Sequence, residues 1–258
     1  MGLQRTQAVA IGRRPLGEAD RLVTFYTREF GRLTGVAKGA RRPRSRFGSA
    51  FELFTQGQLL FFETERSALV RIDHFDILHP FLSVREQLER LGQGAWVVEC
   101  LAWLTAERDP HAALYGLLVR TLKALEKTAR PARARLAFAL RAVDLLGHRL
   151  RLDRCLGCGG SPGAAPHLDF TAGGLLCGAC VAAAGDSLPL SGRAVATLRR
   201  LRRLSWEELL ATPLSRIVEA EIASALEAQV VRLMGHPLRT VRFLSQTRRG
   251  LLIPGSTR

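Results

Sequence analysis

Four of the five cysteines fall in two Cys-x-x-Cys pairs, Cys155-Leu156-Gly157-Cys158 and Cys177-Gly178-Ala179-Cys180, separated by the 18 residues 159–176. That spacing is the pattern of a four-thiolate zinc site. Tetrahedral zinc takes four sulfurs at ~2.3 Å, and each Cys-x-x-Cys turn delivers two of them to one ion. Gly157, Gly159 and Gly160 flank the first pair, and Gly173, Gly174 and Gly178 flank the second, letting the backbone fold tightly round the ligands. Four thiolates leave no open coordination position, so the expectation is one structural zinc ion. A redox Cys-x-x-Cys normally occurs singly, at a helix N-terminus beside a βαβ unit, which argues against a thiol–disulfide centre. An iron–sulfur cluster uses the same four thiolates and stands as the alternative. Cys100, between Val98 and Leu101 in an apolar helical stretch, reads as a buried, inert thiol.

A second constellation is cationic. Between Arg28 and Arg46 the chain carries Arg28, Arg32, Lys38, Arg41, Arg42, Arg44 and Arg46 against Glu29 alone. Lys38–Arg46 falls between two expected strands, where a mobile loop lays guanidinium groups along a phosphate backbone. Phe47 follows directly and is expected to stack on a base. The nucleic-acid-binding candidates are therefore Lys38, Arg41, Arg42, Arg44, Arg46, Arg32 and Phe47. A further run, Arg199, Arg200, Arg202 and Arg203, lies on an expected helix and reads equally well as a phosphate contact or as plain exposed surface.

Catalytic signatures are missing: the chain has no phosphate loop, no His-Glu-x-x-His and no dinucleotide fingerprint. Gly159-Gly160-Ser161-Pro162-Gly163 spells a nucleophile elbow but sits between the cysteine pairs, outside any strand–turn–helix. Asp73, His74 and Asp76 read as the exposed side of a strand end and the turn after it. No enzymatic activity is expected.

The elements that must hold these groups change character near residue 80. Before it, β-rich runs recur at Thr6–Ile11, Leu22–Thr27, Leu33–Ala37, Phe51–Phe62 and Ala68–Ile72, with glycines between or near them. Five strands in so short a span imply a small barrel, either of the oligonucleotide-binding (OB-fold) type or SH3-like. From Val84 onward apolar residues step by three and four, giving helices at Val84–Ala102, Leu114–Leu125, after Pro131, at Ser191–Leu204 and from about Pro213 to Gly235. The expected fold class is α+β: an OB-fold-like barrel domain over 1–80, then an α-helical domain over 81–258 with a zinc-ribbon insertion at about 151–185.

Thirty-eight Lys and Arg against 23 Asp and Glu leave a net charge of +15, so polyanions are the expected partners. The longest apolar stretch, near Gly94–Leu104, is too short for the ~20 residues of a membrane span, so no membrane partner is expected. Met1–Thr6 formally fits a myristoylation pattern but lacks the apolar run of a secretory signal, and a cytoplasmic location is expected.

Pro15-Leu16-Gly17-Glu18-Ala19-Asp20-Arg21, Phe30-Gly31-Arg32-Leu33 and Val36-Ala37-Lys38-Gly39-Ala40-Arg41-Arg42 resemble the N-terminal domain of RecO, the bacterial recombination mediator family. The likeness continues through Leu69-Val70-Arg71-Ile72, the helical segment and the cysteine pairs, which match the RecO members that keep zinc. The resemblance implies an OB-fold barrel followed by a helical domain with an inserted zinc ribbon. It also implies binding of single- and double-stranded DNA, ATP-independent annealing, and cooperation with RecR in loading RecA onto DNA coated by single-strand-binding protein, at the nucleoid. It supports Lys38, Arg41 and Arg42 as DNA contacts and the four cysteines as zinc ligands. The reading kept beside it is a zinc-ribbon RNA-binding or transcription-associated factor; a metal-dependent nuclease is the third.

Overall fold

The computed structural model describes residues 2–63, 67–183, 185–241 and 244. They form two compact units: the described residues up to Pro131 joined by those from Leu238 onward, and Ala132–Pro237.

The first unit begins with five strands, β1 (Leu3–Leu16), β2 (Asp20–Thr27), β3 (Gly31–Ala37), β4 (Gln56–Phe62) and β5 (Val70–His79). They close into a barrel in the order β1-β2-β3-β5-β4, and only the short β3–β5 seam, at Gly35–Val70 and Val36–Arg71, is parallel. Strict alternation of buried and half-buried residues along β3 and β4 sends every second side chain inward. Inside, Phe25, Phe51 and Phe75 pack with ring centroids 4.9–6.1 Å apart, among Leu33, Leu59, Phe61, Val70 and Ile72.

Three strands differ from their sequence outlines. β1 and β5 run further, so Asp73, His74 and Asp76 belong to a continuing strand and not to a turn. The run Phe51–Phe62 divides: Phe54 takes the left-handed φ of 73°, the chain turns there, and β4 starts only at Gln56. Gly31 also has a left-handed φ, 63°, and a Cβ on it would lie 2.2 Å from the Asp109 carbonyl oxygen, so no side chain fits.

Helices α1 (Leu82–Glu86), α2 (Leu88–Leu104) and α3 (Ala112–Lys127) pack beside the barrel in the same unit. The single helix expected at Val84–Ala102 is broken at Gln87, whose backbone is extended. Arg85 donates to the Leu53 carbonyl at 3.0 Å, His79 bonds Glu126 at 2.7 Å, and Gln56 donates to the Tyr115 hydroxyl at 3.3 Å, which fixes helices to strands. Cys100 is fully buried in α2, as expected. Glu99, also on α2, accepts the N–H groups of Arg239 and Thr240 at 2.9 and 3.0 Å, so the chain returns to this unit after leaving it.

The second unit opens with α4 (Pro131–Leu145), followed by a sheet of three-residue strands, β6 (His167–Asp169), β7 (Gly174–Leu176) and β8 (Ser187–Pro189), in the order β7-β6-β8. Helices α5 (Gly192–Arg203), α6 (Trp206–Ala211) and α7 (Arg216–Met234) complete it. Ser191 and Ser215 cap α5 and α7, and Gly235, φ 74°, ends α7 in the left-handed conformation. The side chain of Arg133 is 1% exposed: it forks onto Glu219 at 2.8 and 2.9 Å and donates to the Thr212 carbonyl at 2.7 Å. No helix of the described residues is long and apolar enough to cross a membrane.

Candidate metal centre and nucleic-acid interface

Within the second unit the turn carrying Cys155 and Cys158 is closed by Gly159 N–H to the Cys155 carbonyl and Cys155 N–H to the Gly160 carbonyl, both at 2.9 Å. Cys177 follows β7 directly, and a turn from its carbonyl to the Cys180 N–H, 3.0 Å, aims the second pair at the first. The four sulfurs lie within 4.8 Å of one another. Four sulfurs ~2.3 Å from one tetrahedral ion would stand roughly 3.8 Å apart, and Cys158 and Cys177 are 3.9 Å apart.

Sulfur chemistry fits the same occupant. The N–H groups of Cys158, Cys177 and Gly157 hold the Cys155 thiol down at about 6. Hydrogen bonding to the sulfurs of Cys177, Cys155 and Cys158 pushes Cys180 up to about 12. Without a cation Cys155 loses its proton more readily than an ordinary thiol and Cys180 less readily. A divalent ion among the sulfurs removes that difference, because ligating thiols are deprotonated. A Cβ on Gly157 would come within 2.9 Å of the Cys180 sulfur, so the glycine is what lets the pairs close. Among the described residues these four are the only group of three or more His, Cys, Asp or Glu side chains able to hold a metal ion.

The run Arg199–Arg203 turns out to support this centre. Arg199 donates to the Leu152 carbonyl at 2.9 Å, and Arg202 to the Leu150 carbonyl at 2.6 Å while pairing with Asp144 at 3.1 Å. Two arginines thus tie the segment leading into Cys155 to α5; Arg200 and Arg203 stay exposed.

In the first unit the segment after β3 is a chain of hydrogen-bonded turns. Arg42 N–H bonds the Gly39 carbonyl, Ser45 the Arg42 carbonyl, Gly48 the Ser45 carbonyl and Ala50 the Phe47 carbonyl, at 2.8–3.3 Å. Ala40, Phe47, Ala50 and Phe51 drop into the barrel core and anchor it. Lys38, Arg41, Arg42, Arg44 and Arg46 point outward and are exposed. Phe47, expected to stack on a base, is 5% exposed, 4.7 Å from Phe51 and covered by the Arg46 guanidinium, so its ring is not open to one. Arg32 is half-buried, six residues before Lys38 on β3, which at ~3.3 Å per strand residue is about 20 Å away. It stands apart from the exposed loop cations.

Sequence reasoning missed the neighbour of this loop. Gly39 N–H bonds Asp20 Oδ1 at 2.7 Å, Arg41 N–H bonds the Ala19 carbonyl at 2.9 Å, and the Arg41 guanidinium donates to the Gly17 carbonyl at 2.7 Å. These three bonds bind the loop to the tip of the β1–β2 hairpin. Arg41 then shares a surface cleft of about 300 Å³ with Arg13, Arg14, Pro15 and Arg21. These arginines are scattered along two strands, so no charge run announced them.

Comparison with known proteins agrees across both units. Residues 1–81 match the family described as Recombination protein O N terminal, and residues 85–242 match Recombination protein O C terminal. The DNA repair protein RecO of Myxococcus xanthus (strain DK1622) is 36% identical over 230 residues, 89% of this chain and 92% of that protein. That of Anaeromyxobacter dehalogenans (strain 2CP-C) is 35% identical over 232 residues, 89% and 91% of the two chains. That of Syntrophus aciditrophicus (strain SB) is 28% identical over 249 residues, 95% and 96%.

Proposed function

Because the chain belongs to the RecO family of DNA repair proteins, we propose that it is a recombination mediator that binds single- and double-stranded DNA and anneals complementary strands without ATP. With RecR it promotes loading of RecA onto DNA coated by single-strand-binding protein, in the cytoplasm at the nucleoid. Its DNA contacts are Lys38, Arg41, Arg42, Arg44 and Arg46, and its cysteine cluster holds one structural zinc ion.

The observation that carries this reading is the exposed cationic loop mounted on a closed barrel with its aromatic rings turned inward. Phe47 and Phe51 are 5% and 2% exposed, so the loop offers charge to phosphates and no ring to bases. Neutralising two backbones lowers the repulsion between complementary strands, while their bases stay free to pair. Counterion release gives a log–log slope near −0.7 per phosphate on single strands, so five contacts imply roughly 100-fold weaker binding for a fourfold rise in salt. The cysteine centre has no open position for water or substrate and contributes by holding β6 and β7 in place.

The deciding experiment is annealing of complementary oligonucleotides coated with single-strand-binding protein, without ATP, for the wild type and a Lys38→Ala/Arg42→Ala/Arg44→Ala variant. This reading expects salt-sensitive annealing by the wild type and its loss in a folded variant. A wild type that binds DNA and never anneals would refute it, and tighter binding to structured RNA than to DNA would favour the RNA-binding alternative.

A further inference from the structure

The cleft at the β1–β2 hairpin has its own origin in the barrel. Antiparallel partners share a face, and β1 and β2 pair Arg13 with Val23 and Pro15 with Arg21. Val23 and Phe25 are fully buried in the barrel, so the face carrying them further along the hairpin carries Arg13, Pro15 and Arg21. The hairpin overruns the barrel mouth, where this face switches from apolar to cationic, while Arg14, paired with Leu22 on the opposite face, lines the cleft from the other side of the strand. Arg41, pinned to Gly17, closes the cleft from the loop side.

Arg13, Arg14, Arg21 and Arg41 all line this cleft of about 300 Å³, and like charges gathered in one place repel one another less when an anion is present. Arg13 has a partner in Glu52, and the Asp20 carboxylate is engaged by the Gly39 N–H. Glu18, at the hairpin tip, is exposed. Arg14 and Arg21 have no ion pair among the described residues. Small-molecule pockets of this size are lined mainly by apolar and aromatic groups, whereas this one has a single proline beside its arginines. Guanidinium forks match phosphate oxygens, two N–H groups at a time.

We propose that Arg13, Arg14, Arg21 and Arg41 form a second phosphate-binding site, in which the hairpin overhang grips the phosphodiester backbone of a strand that also lies along the Lys38–Arg46 loop. The site rests on the DNA-binding reading above and adds to it a grip independent of the bases, with Arg14 and Arg21 as the contacts that make no ion pair among the described residues.

The test is fluorescence anisotropy of a labelled single-stranded oligonucleotide, and of its fully abasic counterpart, titrated between 50 and 200 mM salt. The wild type is compared with Arg14→Ala/Arg21→Ala and, as a minimal surface change, Arg14→Glu, each checked for folding by thermal melting. Two lost contacts make the salt slope shallower by about 1.4, so the wild-type advantage shrinks roughly sevenfold over that range. The loss is expected on the normal and abasic strands alike. An unchanged slope in both variants, beside a wild type that binds, overturns the site and leaves the loop as the interface. A variant defect confined to the base-bearing strand overturns the backbone grip. A wild type that binds neither strand refutes the DNA-binding reading itself, and the site with it.

Discussion

The guanidinium of Arg41 donates to the carbonyl of Gly17 at 2.7 Å, so a side chain expected to reach DNA from the loop also pins that loop to the β1–β2 hairpin. Arg44, by contrast, is exposed and makes no hydrogen bond or ion pair among the described residues.

Substituting the two separately divides affinity from structure. Arg44→Ala is expected to leave the thermal midpoint unchanged and to reduce the DNA salt slope by about 0.7. Arg41→Ala should do both kinds of damage: about 1 kcal/mol of stability, for an exposed charge-assisted bond, and a larger affinity loss than one contact explains. Melts and salt titrations on both proteins check this; an Arg41→Ala variant as stable as wild type would show that the pin contributes nothing.

The cysteine centre predicts one zinc ion per chain by elemental analysis, displaced when the thiols are titrated with a mercurial. Gly157→Ala puts a methyl group against the Cys180 sulfur and is expected to weaken zinc retention by roughly tenfold or more, the range seen when the surroundings of metal ligands are disturbed. Competition with a chromogenic chelator measures it. Iron and labile sulfide in the purified protein would instead select the iron–sulfur alternative.

The buried Arg133 forks onto the half-buried Glu219, and removing either half leaves the other without its partner. Arg133→Met is expected to destabilise the second unit by about 2 kcal/mol, while Arg133→Met/Glu219→Leu recovers part of that loss. Urea unfolding of the single and double variants is the check, and equal losses would remove the fork as the cause.

Glu208 has its carboxyl held below the usual range by the Ser205 backbone N–H and hydroxyl in the capping box of α6. A depressed folded value means the stabilisation is present above the unfolded pKa, about 4.3, and disappears as pH falls through the folded value. The stability gap between wild type and Glu208→Ala should therefore be constant near neutrality and close in acid. A gap that widened as pH fell would contradict the assignment.

The cysteine cluster was legible because its geometry is local: a four-residue turn sets two sulfurs, and one spacing sets both turns. The barrel was legible from strand alternation, and the exposure of Lys38, Arg41, Arg42, Arg44 and Arg46 from their charge. Phe47 was not, because an aromatic next to arginines reads the same whether its ring faces DNA or fills the barrel, and only the partners Phe51 and Ala50 decide. Arg13, Arg14 and Arg21 were hidden because strand pairing, not sequence proximity, brings them to Arg41. Helix α6 is too short for a periodic signal, although Ser205 and Glu208, three apart, carried its capping box. Arg199 and Arg202 were ambiguous for a similar reason: the carbonyls they serve lie some fifty residues away.

Glu99 gives the first unit an order of assembly. Its carboxylate serves Thr240, 141 residues later, and the whole second unit is spelled in between. On a ribosome adding about 5–20 residues per second, roughly seven to twenty-eight seconds separate the emergence of α2 from that of its last partner. The barrel has all its strands in hand from His79 onward, but the clamp at Glu99 stays open through that interval. The nascent chain therefore finishes its first unit last, after all four clustered cysteines of the second have been made.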